Sequence, residues 1–212
     1  MTYNVYLALQ RLNSHTIEPG SENSLIDITK LNDPSTYPNY PNVQLGENLT
    51  NSWGIGVCLV STLAGRSMFV NPYAHIVEAY GHANKMPRYS NQLMYTPSNP
   101  QQIRDLNFAI VYYGPSKSYD FKFISGYPNP YRLTIEMLDK NGNPIIPPNP
   151  YDWDEKSAFS ISAEPRRQIV FVVSAPSQIV NKSNLVNITQ TDQGFQRYVN
   201  GKLDFEIING NS

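Results

Sequence analysis

The chain has 212 residues, a net charge of −1 and 16% charged side chains, against roughly a quarter in an average soluble domain. That length suffices for one sizeable core, and the lack of a basic surplus excludes the electrostatic footprint of a nucleic-acid binder. A single cysteine, Cys58, excludes an internal disulfide and therefore a scaffold that depends on such staples.

The first residues, Met1-Thr2-Tyr3-Asn4-Val5-Tyr6-Leu7-Ala8-Leu9, carry neither a basic start nor a long apolar run. The expectation is a protein made in the cytoplasm without a signal peptide, then released or assembled into a particle. No apolar run is long enough to span a bilayer, so no transmembrane segment is expected. Tyr3 to Gln10 is apolar on both sides and reads as a first, central strand. Asn13 to Asn51 is rich in Asn, Ser, Pro and Glu, and X-Pro steps favour extended and turn conformations. It reads as a long surface excursion that Leu25, Ile26, Ile28 and Leu31 could anchor. A loop of that length in a compact domain is either functional or conceals an element.

Ile55 to Leu63 returns to a continuous apolar run and reads as a strand buried on both faces, with Cys58 a small buried hydrophobe. Asn71-Pro72 pairs a favoured N-cap with a favoured first helical residue, predicting a helix over Tyr73 to Tyr80. A strand is the alternative there, because Ile76 and Val77 fit either. Asn99-Pro100 repeats the signal before a single turn at Gln101 to Arg104. Leu106 to Tyr113 and Tyr119 to Ile124 alternate as strands.

Tyr131 to Leu138 is the clearest strand, with Tyr131, Leu133, Ile135 and Met137 on one face and Arg132, Thr134 and Glu136 on the other. Asn141-Gly142 then suits a type I′ hairpin that would set Leu138 opposite Ile145, with Pro144 marking the return as an edge. Phe159 to Ser162, Gln168 to Ser174 and Gln178 to Thr189 follow as strands. Phe195 to Ile208 closes the chain as a second hairpin about Asn200-Gly201. Its implied register sets Tyr198 beside Leu203, Gln196 beside Phe205 and the opposite charges Arg197 and Asp204 side by side. Together these features predict an all-β, mainly β chain. It would form a single antiparallel β-sandwich or jelly-roll-like domain over 1–212, with one or two short helices and the excursion at about 13–51.

Few residues carry chemistry. On a helix, His75 and Glu78 would share a face, with His82 just beyond, and imidazole with carboxylate can hold zinc. The arrangement is not His-Glu-x-x-His, and a capping or surface histidine is the simpler account. Tyr151-Asp152-Trp153-Asp154-Glu155 is an acidic, aromatic loop whose Trp face could stack on a sugar while carboxylates bind hydroxyls. The simpler account is a solvated turn with Trp153 packed beneath it. Tyr37 and Tyr40, with Tyr89, Tyr95, Tyr113 and Tyr127, sit beside Pro, Asn and Ser, where Tyr gives contact area at low entropic cost. No nucleophile elbow, phosphate-binding loop or dinucleotide fingerprint occurs, so no catalytic residue and no cofactor is assigned.

The functional expectation is a non-enzymatic structural protein that self-assembles through protein–protein contacts, as a particle, tail or inclusion-body component. Its partner would be further copies of itself. The alternative is a carbohydrate- or membrane-surface-binding module, lectin-like or toxin-like, using the loop around Trp153 on a glycan or cell surface.

Overall fold

The fold is described from a computed structural model at residues 2–37, 40–45, 48–52, 54, 56–81, 106, 108–112, 114, 118–139, 141–147, 170–174 and 186–208. In chain order its elements are α1 (Thr2–Ser14), β1 (Glu22–Ser24), α2 (Leu25–Thr29), a 3₁₀ turn (Pro34–Thr36), β2 (Tyr40–Leu45), β3 (Asn48–Ser52), α3 (Val57–Phe69), β4 (Ala74–Glu78), β5 (Val111–Tyr112), β6 (Ser118–Tyr119), β7 (Lys122–Ser125), β8 (Thr134–Leu138), β9 (Val170–Ser174), β10 (Val186–Thr191), β11 (Gly194–Val199) and β12 (Lys202–Ile208). Strands predominate, and every strand pair among the described residues is antiparallel. Two sheets have three strands, in the orders β1-β7-β4 and β10-β11-β12; β2-β3, β5-β6 and β8-β9 are two-stranded.

Several elements differ from the sequence expectation. The first strand is instead helix α1. Val5, Ala8, Leu9 and Leu12 are buried, a spacing that lines one stripe of a 3.6-residue helix. The apolar run at Ile55 to Leu63 is not a strand either: helix α3 takes up most of it, and it is so deep in the core that apolar residues occur all round it. The predicted helix after Asn71 is strand β4, as the alternative reading allowed. Asn71 Oδ1 accepts from the Tyr73 N–H at 3.0 Å, so the capping side chain closes a turn that enters a strand. The excursion at 13–51 holds β1, α2, the 3₁₀ turn and the β2-β3 hairpin, and Leu25, Ile26 and Leu31 are buried.

Helix α3 packs its polar residues against the backbone of the buried residues Leu106, Phe108 and Ile110. Cys58 Sγ donates to the Ile110 carbonyl at 3.3 Å, and Ser61 Oγ and Thr62 Oγ1 to that of Phe108 at 2.8 and 3.2 Å. Arg66 Nε donates to the Leu106 carbonyl at 2.6 Å, and the Phe108 N–H donates back to Thr62 Oγ1 at 3.1 Å. The helix thus supplies hydrogen bonds that a neighbouring strand would otherwise provide, which buried backbone requires. Gly65 makes this approach possible, since a Cβ there would lie 2.5 Å from the Phe108 ring.

Tyr131, Leu133, Ile135 and Met137 are buried, as their alternation implies. Strand β9 pairs with one edge of β8. On the other edge the Asn13 side chain acts as a stand-in strand: its Nδ2 donates to the Ile135 carbonyl at 3.0 Å and its Oδ1 accepts from the Ile135 N–H at 2.8 Å. The Ile145 N–H donates to the Met137 carbonyl at 2.9 Å farther along, and Ile17 and Tyr131 exchange backbone hydrogen bonds at the start. The return register is one residue from the expected one, with Leu138 opposite Pro144.

Tyr119 to Ile124 is also not one continuous strand. Asp120 is buried and interrupts the alternation. Its Oδ1 accepts from the N–H groups of Ile26 at 3.0 Å and Phe121 at 2.7 Å, while its Oδ2 accepts from Ser24 Oγ at 2.6 Å. Burial pushes this carboxyl above the usual aspartate range, against the lowering effect of those donors.

Candidate functional site

The C-terminal sheet, β10-β11-β12, presents an outer face with two exposed apolar side chains, Leu203 and Ile208. Asn200 and Gly201 take positive φ values of 52° and 79°, as a type I′ turn requires, and Val199 lies opposite Lys202 and Tyr198 opposite Leu203. A bulge between Arg197 and Tyr198 then moves the register, so Gln196 faces Glu206 and Arg197 faces Phe205. The expected pairing of Gln196 with Phe205 is therefore not formed. Asp204 is the extra residue, and it reaches Arg197 as an ion pair.

Arg197 is wholly buried. Its Nε donates to the Phe69 carbonyl at 2.8 Å, its Nη2 to the Asn71 carbonyl at 2.6 Å and its Nη1 to Asp204. Desolvation lowers its pKa to about 10, so it remains a cation at neutral pH. The guanidinium occupies the C-terminal end of α3, where the helix leaves carbonyls unpaired and favours positive charge. One side chain thereby ties the last sheet to the central helix.

Strand alternation and the bulge leave Asn187, Thr189, Gln196, Tyr198, Leu203, Glu206 and Ile208 on the outer face. Leu203 is 54% exposed and Ile208 66%. Between them Tyr198 Oη donates to Gln196 Oε1 at 2.8 Å and Gln196 Nε2 donates to Glu206 Oε1 at 2.9 Å. The face therefore combines apolar ends with a middle whose polar groups already hold one another in position.

The residues singled out from sequence do not meet in one place. Tyr37 is buried, its hydroxyl donating to the Thr29 carbonyl and its ring under the Arg11 guanidinium at 4.6 Å, so it is a packing residue. Tyr127 is likewise buried. Tyr40 begins β2. Tyr151, Asp152, Trp153, Asp154 and Glu155 lie outside the described residues, as do His82, Tyr89, Tyr95 and Tyr113. His75 is exposed on β4, and Glu78 forms a 2.7 Å ion pair with Lys122 of β7. No group of three or more His, Cys, Asp or Glu suited to a metal ion occurs among the described residues.

A polar cleft of about 520 Å³ opens between α1, β1 and α2, lined by Arg11, His15, Glu22, Asp27 and Lys30 among others. Its charges offset one another, and His15 Nε2 is already bonded to Asn23 Oδ1 at 3.0 Å. No helix among the described residues is long and apolar enough to cross a membrane. No family model matches this chain, and no curated protein or solved structure matches it either. The buried role of Arg197 was not read from sequence beyond its pairing with Asp204. The signal available was its inward position among apolar neighbours on β11.

Proposed function

We propose that this chain is a non-enzymatic structural protein that assembles with copies of itself, through the outer face of the β10-β11-β12 sheet. The exposure of Leu203 and Ile208 on that one face carries the reading. Two large apolar side chains bracket an ordered, mostly uncharged polar middle, the composition that recognition surfaces favour over the charged remainder of a protein. The Arg197 anchor supports it further, because a face fixed to the core loses little entropy on association. A low overall charge also lets copies approach without strong repulsion. The layering that goes with this reading is a β-sandwich or jelly-roll-like body whose sheets stack face to face, with assembly into a particle, tail or inclusion body.

Light scattering coupled to size exclusion tests it. The parent should elute as an oligomer, and Leu203→Glu with Ile208→Glu should shift it toward the protomer mass with an unchanged circular dichroism spectrum. A parent that stays monomeric at high concentration, or an oligomer indifferent to both substitutions, refutes the reading.

A further inference from the structure

A second surface, around β4, β6 and β7, gathers two partly exposed tyrosines and a cross-strand ion pair. Tyr80 and Tyr119 are 39% and 37% exposed, with ring centroids 4.8 Å apart and planes inclined at 64°. Both are held by neighbouring residues of one segment: the Ala109 N–H donates to the Tyr80 carbonyl at 2.9 Å, and Tyr119 lies opposite Val111 in the β5-β6 pair. The rings therefore project from a rigid base. Beside them stands the Glu78–Lys122 ion pair, with side chains 24% and 32% exposed. Burial, and then the Glu78 carboxylate, pushes the Tyr80 phenol up, which places the carboxylate close to that ring.

The two rings pack edge to face and share no plane, but each residue keeps more than a third of its surface exposed, so apolar ring surface is open to a ligand. The Glu78 carboxylate accepts at about four lone-pair sites and takes Lys122 and the Tyr80 phenol, while the Lys122 ammonium donates three hydrogens, so both keep capacity to spare. A pyranose ring matches this set, since its C–H face lies on an aromatic and its hydroxyls both donate and accept. The ion pair has no net charge, which disfavours a phosphate or another strongly charged ligand. We propose that Tyr80, Tyr119, Glu78 and Lys122 form a shallow binding site for a neutral saccharide. The proposal is independent of self-assembly through the C-terminal sheet.

An array of neutral oligosaccharides of gluco, galacto and manno configuration tests it, followed by calorimetric titration with the strongest binder. The parent should bind at least one of these. Tyr119→Ala should weaken that binding by roughly tenfold or more, as loss of a central aromatic contact does, while Tyr119→Phe stays within about threefold of the parent. Glu78→Gln, which preserves shape, should weaken it several-fold and carries the test if Tyr119→Ala melts early. No binding by the parent across the array overturns the proposal. So does binding that survives both Tyr119→Ala and Glu78→Gln, which would assign the patch to protein contact or the sugar to another site.

Discussion

Replacing Arg197 by Met is the most direct probe of how the molecule is joined. Met roughly preserves the apolar stem and volume, so the change isolates the guanidinium. Two donors vanish from the carbonyls of Phe69 and Asn71, both buried residues. Hydrogen bonds to charged groups contribute roughly 1.5–3 kcal/mol each, so the loss should be about 3–6 kcal/mol. Total stability for a domain is about 5–15 kcal/mol, so this one side chain can decide whether the sheet stays attached.

The Asp204 end of the network should matter less. Its side chain is 22% exposed, and an amide in its place would still accept from Nη1. Asp204→Asn should therefore cost about 1–3 kcal/mol, mostly from the uncompensated buried cation. Urea unfolding monitored by far-ultraviolet circular dichroism gives the totals. Hydrogen exchange gives the location: in Arg197→Met, amides of β10, β11 and β12 should lose protection before those of α3. A loss below about 1 kcal/mol for Arg197→Met, or one smaller than that of Asp204→Asn, would refute the anchoring argument.

Asn13→Ala removes both hydrogen bonds to Ile135 and should cost about 1–2 kcal/mol in urea unfolding. Asn13→Asp should cost at least as much, because a carboxylate would face the Ile135 carbonyl; an Asp variant as stable as the parent would contradict the strand-mimic role. Asp120→Ala leaves the Ile26 and Phe121 N–H groups without their acceptor and should cost about 2–4 kcal/mol, whereas Asp120→Asn keeps one. The folded-state pKa of Asp120 is raised, so its stabilising share is complete below the unfolded value and is lost as pH rises through the folded one. The stability of Asp120→Asn relative to the parent should therefore improve between about pH 4 and about pH 7, and a flat or falling difference would contradict the desolvation argument.

Alternation was a sound guide where one face is dry and the other wet. Tyr131 to Met137 shows this, since each inward residue named from the pattern is buried. It failed where burial surrounds an element. Within the run from Ile55 to Leu63, Val57 and Leu59 to Leu63 are all buried, and a short, mostly apolar run does not distinguish a strand from a core helix. Its polar members, Ser61 and Thr62 with Cys58 before them and Arg66 after, look incidental in sequence. Their spacing places them along one helical face, and their partners lie 40 or more residues away at Leu106, Phe108 and Ile110. For α1, Val5, Ala8, Leu9 and Leu12 carried a helical period that β-favouring Tyr and Val masked. Nothing in their immediate sequence marks Tyr80 and Tyr119 as neighbours, because the stretch that aligns them is distant from Tyr80 and reaches Tyr119 only by pairing.

The two Asn-Gly turns show how far a local motif reaches. At Asn200-Gly201 both residues take positive φ and the two-residue turn forms. At Asn141-Gly142 only the glycine does, at 84°, and the loop closes instead between the Asp139 N–H and the Asn143 carbonyl at 2.8 Å. The difference lies two residues before the dipeptide. Asp139 Oδ1 accepts from the N–H groups of Asn141 at 2.8 Å and Asn143 at 2.9 Å, and the Gly142 N–H donates to the Asp139 carbonyl at 3.1 Å. An aspartate there rewards an ordinary turn followed by a left-handed glycine, which adds a residue to the loop and moves the return strand by one. Tyr198 holds the matching position two residues before Asn200 and carries no carboxylate, so the positive-φ preference of Asn-Gly prevails. The first turn ends a strand whose far edge Asn13 already closes. The second sets the register that carries Arg197 inward and Leu203 and Ile208 outward, and both the anchor and the proposed contact face depend on that difference.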